Sequence, residues 1–292
     1  MIERLLAVVL PVFLVTLVGW LVAGRRKPDL ADINRLNMDL FTPALIVLAL
    51  SSRDFDLLGA WPVALAGVAV VFGSGAIAWI VARAMRLEVH AFVPSMMFNN
   101  CGNMGLPLAY LAFGDAGLRT MVVLFATSNL LMFTFGTRFV RGSFGLRQTL
   151  RDPMVLATFV GAAIGIARWP LPDWLTPALR MLADLSIPLM LLSLGMRMRD
   201  LRLADWPLPV LGAVVCPAAG LAVVPLAALA LPLTAMQLGV LLVFAALPPA
   251  VLNYLLAERY QKFPQQVASI VLFGNLASLA VVPVVMAYVL AR

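Results

Sequence analysis

Ten apolar stretches of 16 to 26 residues, parted only by short charged or turn-rich gaps, fill this chain from one end to the other. A helix needs about 20 apolar residues to cross the hydrocarbon core of a bilayer. The stretches lie near 5–23, 33–51, 60–83, 90–113, 118–137, 153–168, 174–195, 206–230, 234–258 and 265–290. Of the 292 residues, 63% are hydrophobic and 12% charged, where a soluble domain carries about half and a quarter. No polar skin is left for a water-soluble fold. The expectation is an all-α polytopic membrane protein of ten transmembrane helices, embedded in a lipid bilayer and with no room for a soluble domain. The first stretch follows only Glu3 and Arg4 and is long for a signal peptide, so it reads as a retained span.

The stretches repeat. Pro11, Leu14, Thr16, Val18 and Gly19 recur as Pro153, Leu156, Thr158, Val160 and Gly161, an offset of 142. Asp39-Leu40 with Pro43 recurs as Asp184-Leu185 with Pro188 at an offset of 145, and Val123-Leu124-Phe125 as Val271-Leu272-Phe273 at 148. Matches in this order, with a slowly growing offset, read as two halves of five spans: residues 1–137 and 153–292, joined by a basic connector at 138–152. Five is odd, so the second half enters from the opposite side and the repeat is inverted. The charges give a separate check. Of 21 Lys and Arg, fifteen fall at the connectors after stretches one, three, five, seven and nine, and six on the other face. The positive-inside rule makes the richer face cytoplasmic and leaves both termini outside. The net charge of +7 is thus spent on orientation in the membrane, and no nucleic-acid partner is expected.

Two of the stretches are interrupted. The fourth places Asn99, Asn100, Gly102, Asn103, Gly105 and Pro107 at its centre, where glycine and proline disfavour helix and amides are costly unless partnered. The ninth carries Pro248 and Pro249 at mid-span and Asn253 one turn later. Unwound backbone at membrane depth is tolerated only where protein or a watery cavity covers it. Paired breaks at corresponding places in two halves point to a transporter binding site. Each restarted half-helix offers free N–H groups and about half a positive charge at its N-terminus, so such a site favours an anion without any lysine or arginine. Pro107 suits the first turn of a new half-helix.

The run Asn100-Cys101-Gly102-Asn103-Met104-Gly105-Leu106-Pro107 resembles the Asn-x-Gly-x-x-Gly-x-Pro signature of the auxin efflux carrier family, whose members include plant PIN-FORMED auxin exporters and bacterial malonate and malate permeases. The likeness extends over the whole chain, and the short central connector is similar to the bacterial branch. The resemblance implies a proline-crossover fold similar to that of bile-acid sodium symporters. Residues 1–51 and 153–195 would form a scaffold, and 60–137 and 206–292 a moving transport unit. It further implies that Asn100, Gly102, Asn103, Gly105, Pro107, Pro248, Pro249 and Asn253 form the substrate site. Cys101 and Asn103 depart from the small or aromatic residues common in relatives. The function implied is secondary transport of a small organic anion by elevator-type alternating access, in a bacterial inner membrane and with a homodimer through the scaffold helices. The alternatives are a sodium-coupled symporter of bile-acid type and a non-transporting membrane sensor.

Asp39 and Asp184, each four residues before a proline, read as buried acids; helix-to-helix hydrogen bonding is favoured over proton or sodium coupling. His90 reads as a solvated end residue and the tryptophans as an interfacial belt. Cys101 and Cys216 lack metal or disulfide spacing. No HExxH, GxSxG, DDxxD or GxxxxGK[ST] is present, so neither enzyme chemistry, nor a cofactor, nor direct ATP drive is expected.

Overall fold

A computed structural model describes residues 2–25, 30–52, 56–141, 151–200 and 207–291, most of them helical. Most of the basic connector and residues 201–206 lie outside the described residues. The helices are α1 (Ile2–Arg25), α2 (Leu30–Leu36), α3 (Thr42–Leu50), α4 (Trp61–Ala84), α5 (Val89–Met97), α6 (Leu106–Leu131), α7 (Thr137–Arg141), α8 (Pro153–Ile166), α9 (Leu175–Asp200), α10 (Pro207–Ala230), α11 (Ala235–Ala246), α12 (Val251–Arg259) and α13 (Pro264–Leu290). π-helical turns lead from α2 to α3 (Asn37–Phe41), into α6 (Cys101–Gly105) and from α6 to α7 (Met132–Gly136). Among the described residues six helices are long and apolar enough to cross a membrane: Glu3–Arg25, Leu58–Ala84, Cys101–Phe139, Leu175–Met196, Pro207–Ala230 and Pro264–Leu290. Asn37–Leu50, Pro153–Ile166 and Ala235–Ala246 are apolar but shorter.

The run Cys101–Phe139 is two elements. At 1.5 Å per residue its 39 residues would extend about 58 Å, nearly twice a bilayer core. The chain turns at Gly114, where φ is 64° and ψ is −154°. A side chain at that φ is strained although the space around it is open.

Helices meet at glycines. A Cβ on Gly19 of α1 would strike the Leu192 carbonyl of α9, and one on Gly195 of α9 would strike the Thr16 carbonyl of α1. Gly165 of α8 lies as closely on the Leu50 carbonyl of α3, and Gly161 packs less tightly against Val47. Without a hydrophobic drive between helices in lipid, such close backbone approach is what holds them. α3 also crosses α9, where the buried hydroxyls of Thr42 and Ser186 bond at 3.0 Å. On the other side α4 packs on α5, α6 and α10, and α10 on α11 and α13. Phe92, Phe98, Phe244, Met104, Leu106 and Leu124, all under 2% exposed, fill the space around the ends of α5 and α11.

The expectation of a buried Asp39 is overturned. A π turn carries an extra residue per turn and so rotates the face that follows it. Here it directs Asn37 and Thr42 inward and leaves Asp39 exposed, paired with Arg35 at 3.5 Å. Asp184 is exposed too, on the wall of a cleft. The interhelical bond expected of the acids is made instead by Thr42 and Ser186, three and two residues further along.

Asp152 caps α8 by accepting from the N–H groups of Met154 at 3.0 Å and Val155 at 3.3 Å. Burial pushes its carboxyl above the usual range; the two N–H groups oppose this and Asp39 adds to it. A raised carboxyl costs stability once ionised, and that cost disappears as pH falls through its folded value. Asp152→Asn keeps a cap and removes the charge, so its melting temperature in detergent at pH 7 should be at or above that of the parent, whereas Asp152→Ala should lose about 1 kcal/mol. Gly195→Val should cost roughly 1–3 kcal/mol by forcing α1 from α9, seen in the same melts.

Candidate functional site

Both interrupted stretches break where the sequence predicts. α5 ends at Met97, Phe98 is extended (φ −109°, ψ 105°), and helix resumes at Cys101. α11 ends at Ala246, Leu247 and Ala250 are extended, and α12 begins at Val251. The two unwound pieces pair antiparallel, Asn99 opposite Pro249. Asn100 N donates to the Pro248 carbonyl at 2.7 Å, and Ala250 N to the Phe98 carbonyl at 2.9 Å. Pro248 and Pro249 have no N–H to leave unpaired in a stretch without helix. Two short extended segments thus satisfy each other where water cannot.

Amide side chains complete the pairing, each reaching into the opposite half of the chain. Asn99 donates from Nδ2 to the Phe244 carbonyl at the end of α11. Asn253 donates from Nδ2 to the Phe98 carbonyl at the end of α5, at 2.8 Å. Each caps the C-terminus of the other half's broken helix. Asn275 of α13, 2% exposed, donates to the Pro249 carbonyl at 3.1 Å and accepts from Asn100 Nδ2 at 3.0 Å, so one side chain holds both unwound segments. α13 can lie this close because Gly274 faces the Pro249 ring, where a Cβ would collide. Among the described residues Asn99 Oδ1 and Asn253 Oδ1 are buried without a partner.

A cavity of about 100 Å³ adjoins the crossing. Its polar lining is Asn37, Thr42, Asn99, Asn100, Asn103, Ser128 and Asn129; two phenylalanines, four methionines and the start of α12 supply most of the apolar part. Among the described residues no charged side chain lines it. All three π-helical turns reach it, through Asn37, through Cys101 to Asn103, and through Met132. Gly102 and Asn103 stand in the first turn after one break, and Val251 and Leu252 in the first turn after the other. First-turn N–H groups have no acceptor within their own helix, so two helix N-termini face one small uncharged cavity. A far larger cleft, about 760 Å³, lies further along the same helices. α3 lends it Leu45 to Ala49, α6 Tyr110 to Arg119, and α9 Thr176 to Pro188.

Of the residues expected at the site, Asn100, Gly102 and Asn103 line the cavity. Gly105 sits behind it against Leu247 and Met121, and Pro107 is buried in the first turn of α6. Pro248 and Pro249 act in the backbone pairing, and Asn253 as a cap. Sequence reasoning passed over Asn37, Thr42, Ser128, Asn129 and Asn275, which come from unbroken stretches. For Asn275 a signal existed, an amide two residues after the repeated Val271-Leu272-Phe273. His90 is exposed at the start of α5, its Nδ1 2.9 Å from the Phe139 carbonyl.

Asn275→Leu would strip partners from the Asn100 amide and the Pro249 carbonyl, so it should destabilise the fold by about 1–3 kcal/mol. Thermal unfolding in detergent checks this, with Asn129→Leu at the cavity edge as a milder comparison.

A family model described as membrane transport protein matches residues 5–144 and again residues 137–286. No curated protein matches the chain.

Proposed function

The chain belongs to the auxin efflux carrier family of membrane transport proteins and is a membrane transporter; from that premise we propose that it carries a small organic anion by alternating access at the crossing of its broken helices. The observation that carries this reading is the charge-free cavity faced by two helix N-termini. Helix N-termini are ready-made anion sites. Each holds its dipole fixed at membrane depth, where a lysine or arginine would be expensive. Around 100 Å³ suits a short carboxylate rather than a bulky ligand.

Alternating access is supported by a cavity and a separate cleft that share walls on α3, α6 and α9, with the crossing beside the smaller one. The matched glycine contacts of α1 on α9 and of α8 on α3 favour the inverted duplication, since Gly19 and Gly161 correspond at an offset of 142. In this reading α1, α2, α3, α8 and α9 are the scaffold, the remaining helices move past it, and ten spans arise when the broken and shorter helices are counted with the long ones. The fifteen-cation face is then cytoplasmic, in a bacterial inner membrane, with both termini outside. A homodimer would form through the scaffold, where α1 bares Leu10, Leu14, Leu17 and Leu21.

One observation favours a second reading, sodium coupling. Asn99 Oδ1 and Asn253 Oδ1 are buried acceptors that a carboxylate cannot satisfy and a cation can.

Proteoliposome uptake from a panel of labelled mono- and dicarboxylates, under imposed pH or sodium gradients, tests both. Asn103→Ala should lower uptake of the carried anion about tenfold or more, as expected for one lost hydrogen bond to a charged group. Full activity would remove the crossing as the site. Strict sodium dependence would select the second reading. Asp39→Asn and Asp184→Asn, being exposed, should leave the pH and sodium dependence unchanged.

A further inference from the structure

The large cleft is lined by charges in a specific order. Asp115 and Arg119 lie one turn apart on α6, and Arg180 and Asp184 one turn apart on α9. Side chains at i and i+4 share a helix face, so each wall offers one acid and one base. α9 and the limb of α6 that follows the turn at Gly114 both begin at the cleft and run toward the small cavity, which α6 reaches at Phe125 and α9 at Met190. Counted inward from the cleft mouth, α6 presents acid then base, and α9 presents base then acid. The two walls therefore carry their charges in opposite order. Among the described residues none of these four side chains is in an ion pair, whereas Arg35 and Asp39 are. Asp173 and Tyr110 are the other ionisable groups on the cleft wall.

We propose that these four residues are an electrostatic latch: when α6 and α9 approach, Asp115 pairs with Arg180 and Arg119 with Asp184, and the cleft shuts. The inference rests on the transporter reading for its purpose, since closure at this end would alternate with opening at the cavity. Exposed ion pairs are individually weak, which suits a gate that must reopen. The order of charges also sets register. Sliding α6 by one turn, about 5.4 Å, brings Asp115 to Asp184 in one direction or Arg119 to Arg180 in the other. Like charges then face each other, so the latch closes in one relative position of the two helices and resists the neighbouring ones.

Cysteine cross-linking in native membranes tests this without any substrate. The double variants Asp115→Cys/Arg180→Cys and Arg119→Cys/Asp184→Cys are compared with the crossed pairs Asp115→Cys/Asp184→Cys and Arg119→Cys/Arg180→Cys, using a short bifunctional thiol reagent and a protease site in the 138–152 connector. Native Cys101 and Cys216 are buried and serve as the background. The matched pairs should link roughly fivefold faster or more; equal rates, or faster crossed pairs, overturn the latch. A charge swap provides a second measure. Arg180→Asp alone should raise labelling of a Ser52→Cys probe in the cleft by an impermeant maleimide roughly threefold, and adding Asp115→Arg should restore the parent level, the signature of a direct pair. A double variant that labels as fast as the single one overturns it. If the carboxylate panel shows no uptake while matched linking persists, the transport reading fails and the latch stands.

Discussion

Everything at the centre of this molecule follows from one constraint: a backbone N–H or C=O at membrane depth must find a partner inside the protein. A continuous helix meets it automatically and offers nothing to a ligand. The chain breaks two helices and meets it by crossing the broken segments, so that Asn100 N and Ala250 N are satisfied by carbonyls from the other half. Pro248 and Pro249 reduce the donors to be satisfied, while Asn99, Asn253 and Asn275 supply donors for the carbonyls left over. Beyond each break the first helical turn begins at the cavity wall, with Gly102 and Asn103 on one side and Val251 and Leu252 on the other.

The same crossing ties the two halves of the chain together. Asn99 caps a helix 145 positions away, and Asn253 one 155 positions away. Neither half can form its break alone without stranding polar groups in hydrocarbon. The packing around the crossing is correspondingly tight: Gly274 against Pro249, Gly102 against Phe125 and Gly136 against Phe98 are contacts in which a methyl group would press on a neighbour. The crossing is therefore expected to behave as a rigid unit, with movement left to the surfaces between it and α3 and α9.

Much of this was legible in the sequence because the breakers are unmistakable. Gly102, Gly105 and Pro107 in one stretch and Pro248-Pro249 in another are placed where an apolar helix has no use for them. What escaped was set by helix geometry rather than composition. The π turn at Asn37–Phe41 moves Asp39 outward and Thr42 inward, and no pattern of residue types announces an extra residue in a turn. A hydropathy reading counts Asp39 as buried because its neighbours are apolar; the observed helix rotates it onto Arg35. Asn129 and Asn275 escaped for the opposite reason. Their stretches are unbroken, so a single asparagine in each reads as a tolerated polar residue until the crossing is seen to need a partner.

Charge is sparse in this chain, and its placement follows a division of labour. Among the described residues the cavity at the crossing has amides, hydroxyls, sulfur and aromatic rings but no ionised group, while the cleft further along the same helices has two arginines and three aspartates. A fixed cation at the crossing would bind an anion more strongly and then have to be neutralised whenever the site was empty, at a desolvation cost of several kcal/mol. Helix dipoles attract without that cost, because their charge is a property of bonds already made. At the aqueous end the reasoning reverses. There, charges are hydrated when the cleft is open and can exchange water for one another when it narrows, so opposite signs on facing helices can bias a movement without binding anything. The proposed division is that uncharged dipoles hold the cargo and hydrated ions set the register of the helices that move around it.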